Sequence, residues 1–162
     1  MIITKSWLEE FIDVSKFSAD EICKTLNSIG LEVDSLEKFS IAPKVVIGKV
    51  LEKIKHPEAD KLSICQVDIG TSVVQIVCGA KNVDANQIVP IATVGCDLGN
   101  NFIIKEAKLR GVESNGMICS STELGLPKLN DGILILDNSI GELILGKELK
   151  DYPKLNDAVI EI

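Results

Sequence analysis

Aromatic residues make up only 4% of this 162-residue chain, and Phe102 is the sole one between residues 40 and 151. A core so poor in rings must be built from Val, Ile and Leu, whose β-branched members favour strands, so the middle of the chain is predicted to be mainly β. The same shortage removes the row of aromatic faces on which single-strand binders stack successive bases. Histidine occurs once, as His56, with no Cys-x-x-Cys and no second histidine nearby, so there is no ligand set for zinc. Because His56 precedes Pro57, its backbone is biased toward extended geometry, and it reads as a loop histidine. No apolar run approaches the roughly 20 residues needed to span a bilayer. Met1-Ile2-Ile3-Thr4-Lys5 also lacks the order of charged, apolar and small-residue regions that marks a signal peptide. A cytoplasmic protein without a membrane partner is expected.

The five cysteines, Cys23, Cys65, Cys78, Cys96 and Cys119, are odd in number and widely spaced, and most lie in apolar strings. Reduced, buried thiols are predicted, and none has a spaced basic partner that would make it a nucleophile. Hydrophobic content of 46%, charged content of 25% and a mean hydropathy of +0.25 describe a packed globular chain. Its length allows one full core, or one core with a small satellite unit.

A net charge of −7 argues against a general nucleic-acid binder, since phosphates need an excess of Lys and Arg. The charge is unevenly spread. Residues 1–40 carry four Lys against eight acids, and residues 111–162 carry four Lys against nine. Residues 41–110 hold eight Lys and Arg110 against seven acids, a balance of +2. Lys49, Lys53, Lys55, His56 and Lys61 concentrate positive charge in one stretch of an otherwise acidic protein.

Along the chain, Ser6-Trp7-Leu8-Glu9 fits the S-x-x-E capping box and predicts a short helix through about Ile12 that buries Trp7, Leu8 and Phe11. Ser18-Ala19-Asp20-Glu21 repeats the box, with Ile22, Leu26 and Ile29 at helical spacing and Gly30 as the stop, so a helix is predicted over 19–29. Alternation from Leu31 to Leu36 begins like a strand. Strands are predicted at 45–55, 62–69, 73–78, 88–94, 102–109 and 133–136, with Gly70-Thr71-Ser72 turning the second into the third. Short strands punctuated by Gly, Asn and Asp fit a small five-stranded barrel of the oligonucleotide-binding type, with a β-sandwich as the alternative. From Tyr152-Pro153 the chain leaves the barrel, and Asp157 to Ile162 reads as a strand opening where the sequence stops, as in a piece of something longer.

Gly141-Glu142-Leu143-Ile144-Leu145-Gly146-Lys147-Glu148 nearly matches the phosphate-binding G-x-x-x-x-G-K-[ST] loop. It carries Glu148 where the Mg²⁺-holding hydroxyl belongs and an apolar run where the loop should curl, so it reads as a core-covering segment. Lys108 and Arg110 lie at a strand end and could join Lys53, Lys55 and Lys61 on one rim that contacts phosphates by charge. The residues alone leave two readings open, RNA binding along that rim and a protein-interaction domain. No acid/base pair, metal set or nucleophile arrangement supports an independent enzyme.

Three stretches resemble, in order, the signatures of the tRNA-binding barrel domain. They are Lys55-His56-Pro57-Glu58-Ala59-Asp60-Lys61-Leu62, Ile76-Val77-Cys78-Gly79-Ala80-Lys81-Asn82-Val83, and Lys108-Leu109-Arg110-Gly111-Val112-Glu113-Ser114-Asn115-Gly116-Met117-Ile118-Cys119-Ser120. Ser6 to Ile12 together with Leu26 to Val33 resemble the start of the bacterial phenylalanyl-tRNA synthetase β-subunit family. The resemblance implies a mainly β chain with a small α+β unit. Residues 1–39 would be the first half of a split domain, 40–151 the inserted barrel, and 152–162 the start of the second half. It further implies an accessory tRNA-binding module of phenylalanine–tRNA ligase, with tRNA and an α subunit as partners in an α2β2 parent. ATP and magnesium would serve the parent, catalysis would belong to the α subunit, and no cofactor or metal would be held here. The basic rim and the signature stretches together give Lys53, Lys55, His56, Lys61, Asn82, Lys108, Arg110, Ser114, Asn115 and Ser120 as the expected RNA-contacting residues. The slight positive balance of the middle segment predicts weak tRNA affinity for this chain alone. A subunit-docking module and a free-standing tRNA-binding chaperone are the alternative roles.

Overall fold

The computed structural model describes residues 1–162, which divide into two compact units, 1–40 with 153–162 and 41–152. The chain begins with β1 (Ile2–Thr4), α1 (Lys5–Glu9), α2 (Ala19–Ser28) and β2 (Ser35–Phe39). There follow β3 (Val45–Lys55), β4 (Ser63–Asp68), β5 (Val73–Cys78), β6 (Ile88–Ala92), β7 (Ala107–Leu109), β8 (Val112–Ser114) and β9 (Met117–Ile118). The last strand is β10 (Asp157–Glu161).

In the smaller unit β10 lies between β1 and β2, antiparallel to both, with Ile160 opposite Ile3 on one side and Leu36 on the other. Helix α2 forms where the second capping box predicts: Ser18 Oγ accepts from the Glu21 amide at 3.2 Å and Glu21 accepts from the Ser18 amide at 2.7 Å. Its Ile22 and Cys23 pack with Ile3, Val14 and Ile160. Gly30 takes the left-handed conformation that ends the helix. The chain then runs on with Val33 N–H bonded to Asn27 Oδ1 at 2.8 Å, so the strand starts only at Ser35.

The first capping box is a correction. Thr4, not Ser6, caps α1, accepting from the Trp7 amide at 3.1 Å, because the Ser6 hydroxyl and amide are engaged by Asp157. The helix stops at Glu9, and Trp7 and Phe11 are exposed at 49% and 72%.

In the larger unit, beside a separate two-stranded sheet of β7 and β8, an antiparallel sheet of order β5-β4-β3-β6-β9 curls into a nearly closed five-stranded barrel. It is a single curved sheet rather than two stacked ones, as in oligonucleotide-binding folds. Strand β3 makes this possible by serving both neighbours. Its first half pairs with β6, its second with β4, and a bulge between Val50 and Glu52 marks the bend. A Cβ on Gly48 would lie 2.6 Å from Ile91 Cγ1 and 2.8 Å from Val67 Cγ1, so the tight curl requires glycine there. Val50, Cys65, Val67, Ile76, Val89 and Ile91 fill the interior, which therefore needs no aromatic ring.

Two predicted strands are not ladders. Only Ala107–Leu109 of the 102–109 stretch is a strand, because Ile104 turns back on Cys96 and Gly95 with bonds of 2.8 and 2.7 Å. Residues 133–136 are buried in part, but bond singly, Leu134 to Cys119 and Leu136 to Ile88. The near-match to a phosphate loop straps across β3: Gly146 N–H bonds to Ile47 O at 2.8 Å and Ile47 N–H to Lys147 O at 3.0 Å.

Candidate nucleic-acid interface

Strand periodicity of two places Lys53 and Lys55 on the same side of β3, just before the chain breaks at Pro57. Residues 56–62 form a tight return in which His56 N–H bonds to Leu62 O at 3.0 Å and Leu62 N–H to Ala59 O at 3.1 Å. This return presents Lys61 to solvent, and Lys81 follows the glycine break after β5. Lys53, Lys55, Lys61 and Lys81 thereby line one groove of about 440 Å³ in which Asp60 is the single acid. Asp60 pairs with Lys55 at 3.1 Å, with both side chains largely in water, so the pair is weak and readily exchanged for a phosphate. Lys81 was not singled out from the sequence. Its signal is its place directly after Cys78-Gly79-Ala80, where a strand ends.

Lys108 and Arg110 sit on the β7–β8 hairpin, with Lys108 opposite Glu113. Arg110 and Gly111 both have positive φ, 53° and 82°, as a two-residue hairpin turn requires, and both are exposed at the tip. The tip is fixed beside the 56–62 return by His56. Nδ1 of the ring accepts from Glu58 N–H at 3.0 Å, which leaves the proton on Nε2 to donate to Leu109 O, also at 3.0 Å. His56 is 2% exposed. This ring, expected among the RNA contacts, is buried and ties the hairpin to the 56–62 return.

Two further expected contacts are likewise spent on the backbone. The Asn82 amide clamps Ile133, donating to its carbonyl and accepting from its N–H at 3.0 Å each. Buried Ser114 accepts from Val77 N–H at 3.0 Å. Asn115 N–H bonds to Gln75 O at 2.8 Å, helping to close the barrel. Ser120 is half-buried, and its hydroxyl accepts from Glu123 N–H at 3.3 Å.

The five thiols are all buried. Burial, with the neighbouring Cys78 adding to it, pushes Cys65 up to about 11, and burial pushes Cys119 up to about 12. Neither is a nucleophile at neutral pH. The arrangement offers cations gathered on one side of a barrel.

Comparison with known proteins gives the family of the chain. A family model described as "Putative tRNA binding domain" matches residues 45–142. Over all 162 residues the chain is 58% identical to the phenylalanine–tRNA ligase β subunit of Campylobacter jejuni, covering 21% of that protein. The β subunit of Wolinella succinogenes gives the same identity and coverage, and that of Helicobacter pylori is 57% identical over 156 residues, 96% of this chain and 20% of the relative. The chain spans about a fifth of the length of these relatives.

Proposed function

We propose, since this chain belongs to the tRNA-binding domain family, that its barrel contacts the phosphate backbone of tRNA through Lys53, Lys55, Lys61 and Lys81. Lys108 and Arg110 extend the contact from the adjacent hairpin. The observation that carries this reading is the gathering of four lysines around one groove in a chain of net charge −7. Counterion release from those phosphates supplies the affinity, and the groove itself holds no aromatic ring to read bases.

By the same reading the chain is an accessory module of a phenylalanine–tRNA ligase β subunit in the cytoplasm. ATP, magnesium and an α subunit of an α2β2 enzyme perform the attachment of phenylalanine. Residues 1–39 and 152–162 are then the two parts of a split domain that brackets a barrel of residues 40–151. The test is tRNA retention over a salt series, comparing the chain with a variant in which Lys53, Lys55, Lys61 and Lys81 are Ala. Binding should weaken with salt, with a salt slope reduced by about three to four in the variant. Equal slopes would remove the lysine groove from the interface.

One observation favours a second role for the smaller unit. Trp7 and Phe11 meet edge to face with centroids 6.1 Å apart, and Phe17 is a further exposed ring. Exposed aromatics of this kind are suited to a protein partner. Co-elution of this chain with the remainder of the synthetase, lost in Phe11→Ser, checks it.

A further inference from the structure

The lysine groove shares a wall with a larger, apolar one. Both are lined by Gly79 and Ala80, and the apolar groove measures about 660 Å³. It follows the seam between β5 and β9, the two strands that end the sheet without pairing with each other. Phe102, Ile103 and Leu109 line it while remaining 51%, 46% and 41% exposed. The barrel unit's one exposed aromatic ring, Phe102, thus lies here, next to the basic groove and outside it. Polar groups stand at the same site. Lys105 makes no ion pair, and the Ser120 hydroxyl accepts from the Glu123 amide at 3.3 Å and meets the Thr122 hydroxyl at 3.1 Å; of the two acids, Glu123 accepts from the Ser120 amide at 2.9 Å and Asp131 meets Lys128 at 2.8 Å in a weak, exposed pair.

We propose that this seam receives one unpaired nucleoside of the RNA whose phosphates lie on the lysine groove, with its base against Phe102 and its polar edge toward Lys105 and Ser120. The inference rests on the RNA reading above. A nucleic-acid strand offers anionic phosphates beside a flat apolar face with a hydrogen-bonding edge, and the two adjoining grooves offer the complement of each. Gly79 has no side chain, and Ala80 only a methyl, to wall one groove from the other. The volume lies within the roughly 300–1,000 Å³ range of sites that enclose a small ligand. An apolar peptide would suit the seam but makes no use of four lysines beside it. A base paired within a duplex cannot enter, so the occupant is unpaired.

The experiment uses the whole 162-residue chain with a short single-stranded RNA and a duplex of the same sequence, followed by fluorescence anisotropy across a salt series. The single strand should bind more tightly than the duplex. Phe102→Ala should weaken the single strand by about tenfold with an unchanged salt slope, while Phe102→Trp retains binding. A thiouridine-bearing strand should crosslink to the segment containing Phe102 or Met117. Salt-sensitive binding that Phe102→Ala leaves untouched, with crosslinks confined to residues 53–61, overturns the seam site and leaves the lysine groove standing. Absence of any RNA binding at low salt overturns both. A dimer broken by Phe102→Ala, with equal affinity for strand and duplex, assigns the seam to a second copy and also overturns the proposal.

Discussion

His56 holds the Glu58 amide and the Leu109 carbonyl through its two ring nitrogens, each at 3.0 Å, inside a site that is 2% exposed. Replacing it by Ala removes a packed ring and strands both backbone groups, so His56→Ala should lower unfolding free energy by about 2–4 kcal/mol. Chemical denaturation measures this, and an unchanged midpoint would contradict it. Pro57 made the break after β3 legible in the sequence. The burial of His56 was not legible, because the partner carbonyl comes from a hairpin that only folding brings near. The backbone partners of Asn82 and Ser114 were hidden for the same reason, since Ile133 and Val77 are brought to them only by folding. The cysteines were readable from their apolar neighbours. With Cys65 raised to about 11 and Cys119 to about 12, chiefly by burial, iodoacetamide at about pH 8 should label neither until denaturant is added. Mass spectrometry of the native protein checks this, and rapid labelling of either thiol would contradict it.

Strand β3 is the element on which the barrel depends, since it passes from β6 to β4 across its own bulge. Gly48→Ala would drive a methyl to 2.6 Å from Ile91 Cγ1, and a loss of about 1–3 kcal/mol is expected by thermal or urea unfolding. Nearby, Glu148 accepts from the Lys44 amide at 2.7 Å and pairs with Lys150 at 3.1 Å, contacts that hold its carboxyl below the ordinary carboxylate value, the amide most strongly. A depressed folded-state value stabilises above the unfolded one. That contribution is present at neutral pH and is lost as pH falls below about 4.5 and through the folded value. Glu148→Gln should therefore lower the melting temperature near neutrality and shrink its fall on acidification. A parallel shift at all pH values would contradict this. The sequence revealed β3 and α2 well, because an eleven-residue apolar pattern and a complete capping box are local signals. It misplaced the cap of α1 because Asp157, which engages Ser6, lies at the other end of the chain. It overextended the strand at 102–109 because apolar alternation there serves a turned-back loop, and alternation cannot distinguish the two.

At the scale of the molecule, charge and architecture separate together. The unit of residues 1–40 and 153–162 carries five Lys against ten acids, and the unit of residues 41–152 carries twelve basic residues against fourteen acids. The barrel is not basic overall, so the RNA contact proposed for it rests on local gathering, with four lysines in the groove and Lys108 and Arg110 on the hairpin that His56 ties down. Composition showed that the middle of the chain differs from its ends, and the signature stretches showed the barrel type. Only the fold shows that Lys81 joins Lys53, Lys55 and Lys61. The most direct measurement is the salt dependence of tRNA binding by the intact chain and by its four-lysine Ala variant. The account predicts micromolar or weaker binding at low salt, falling steeply as salt rises, with the variant both weaker and less steep. Binding that is independent of salt, or identical in the two proteins, would contradict it.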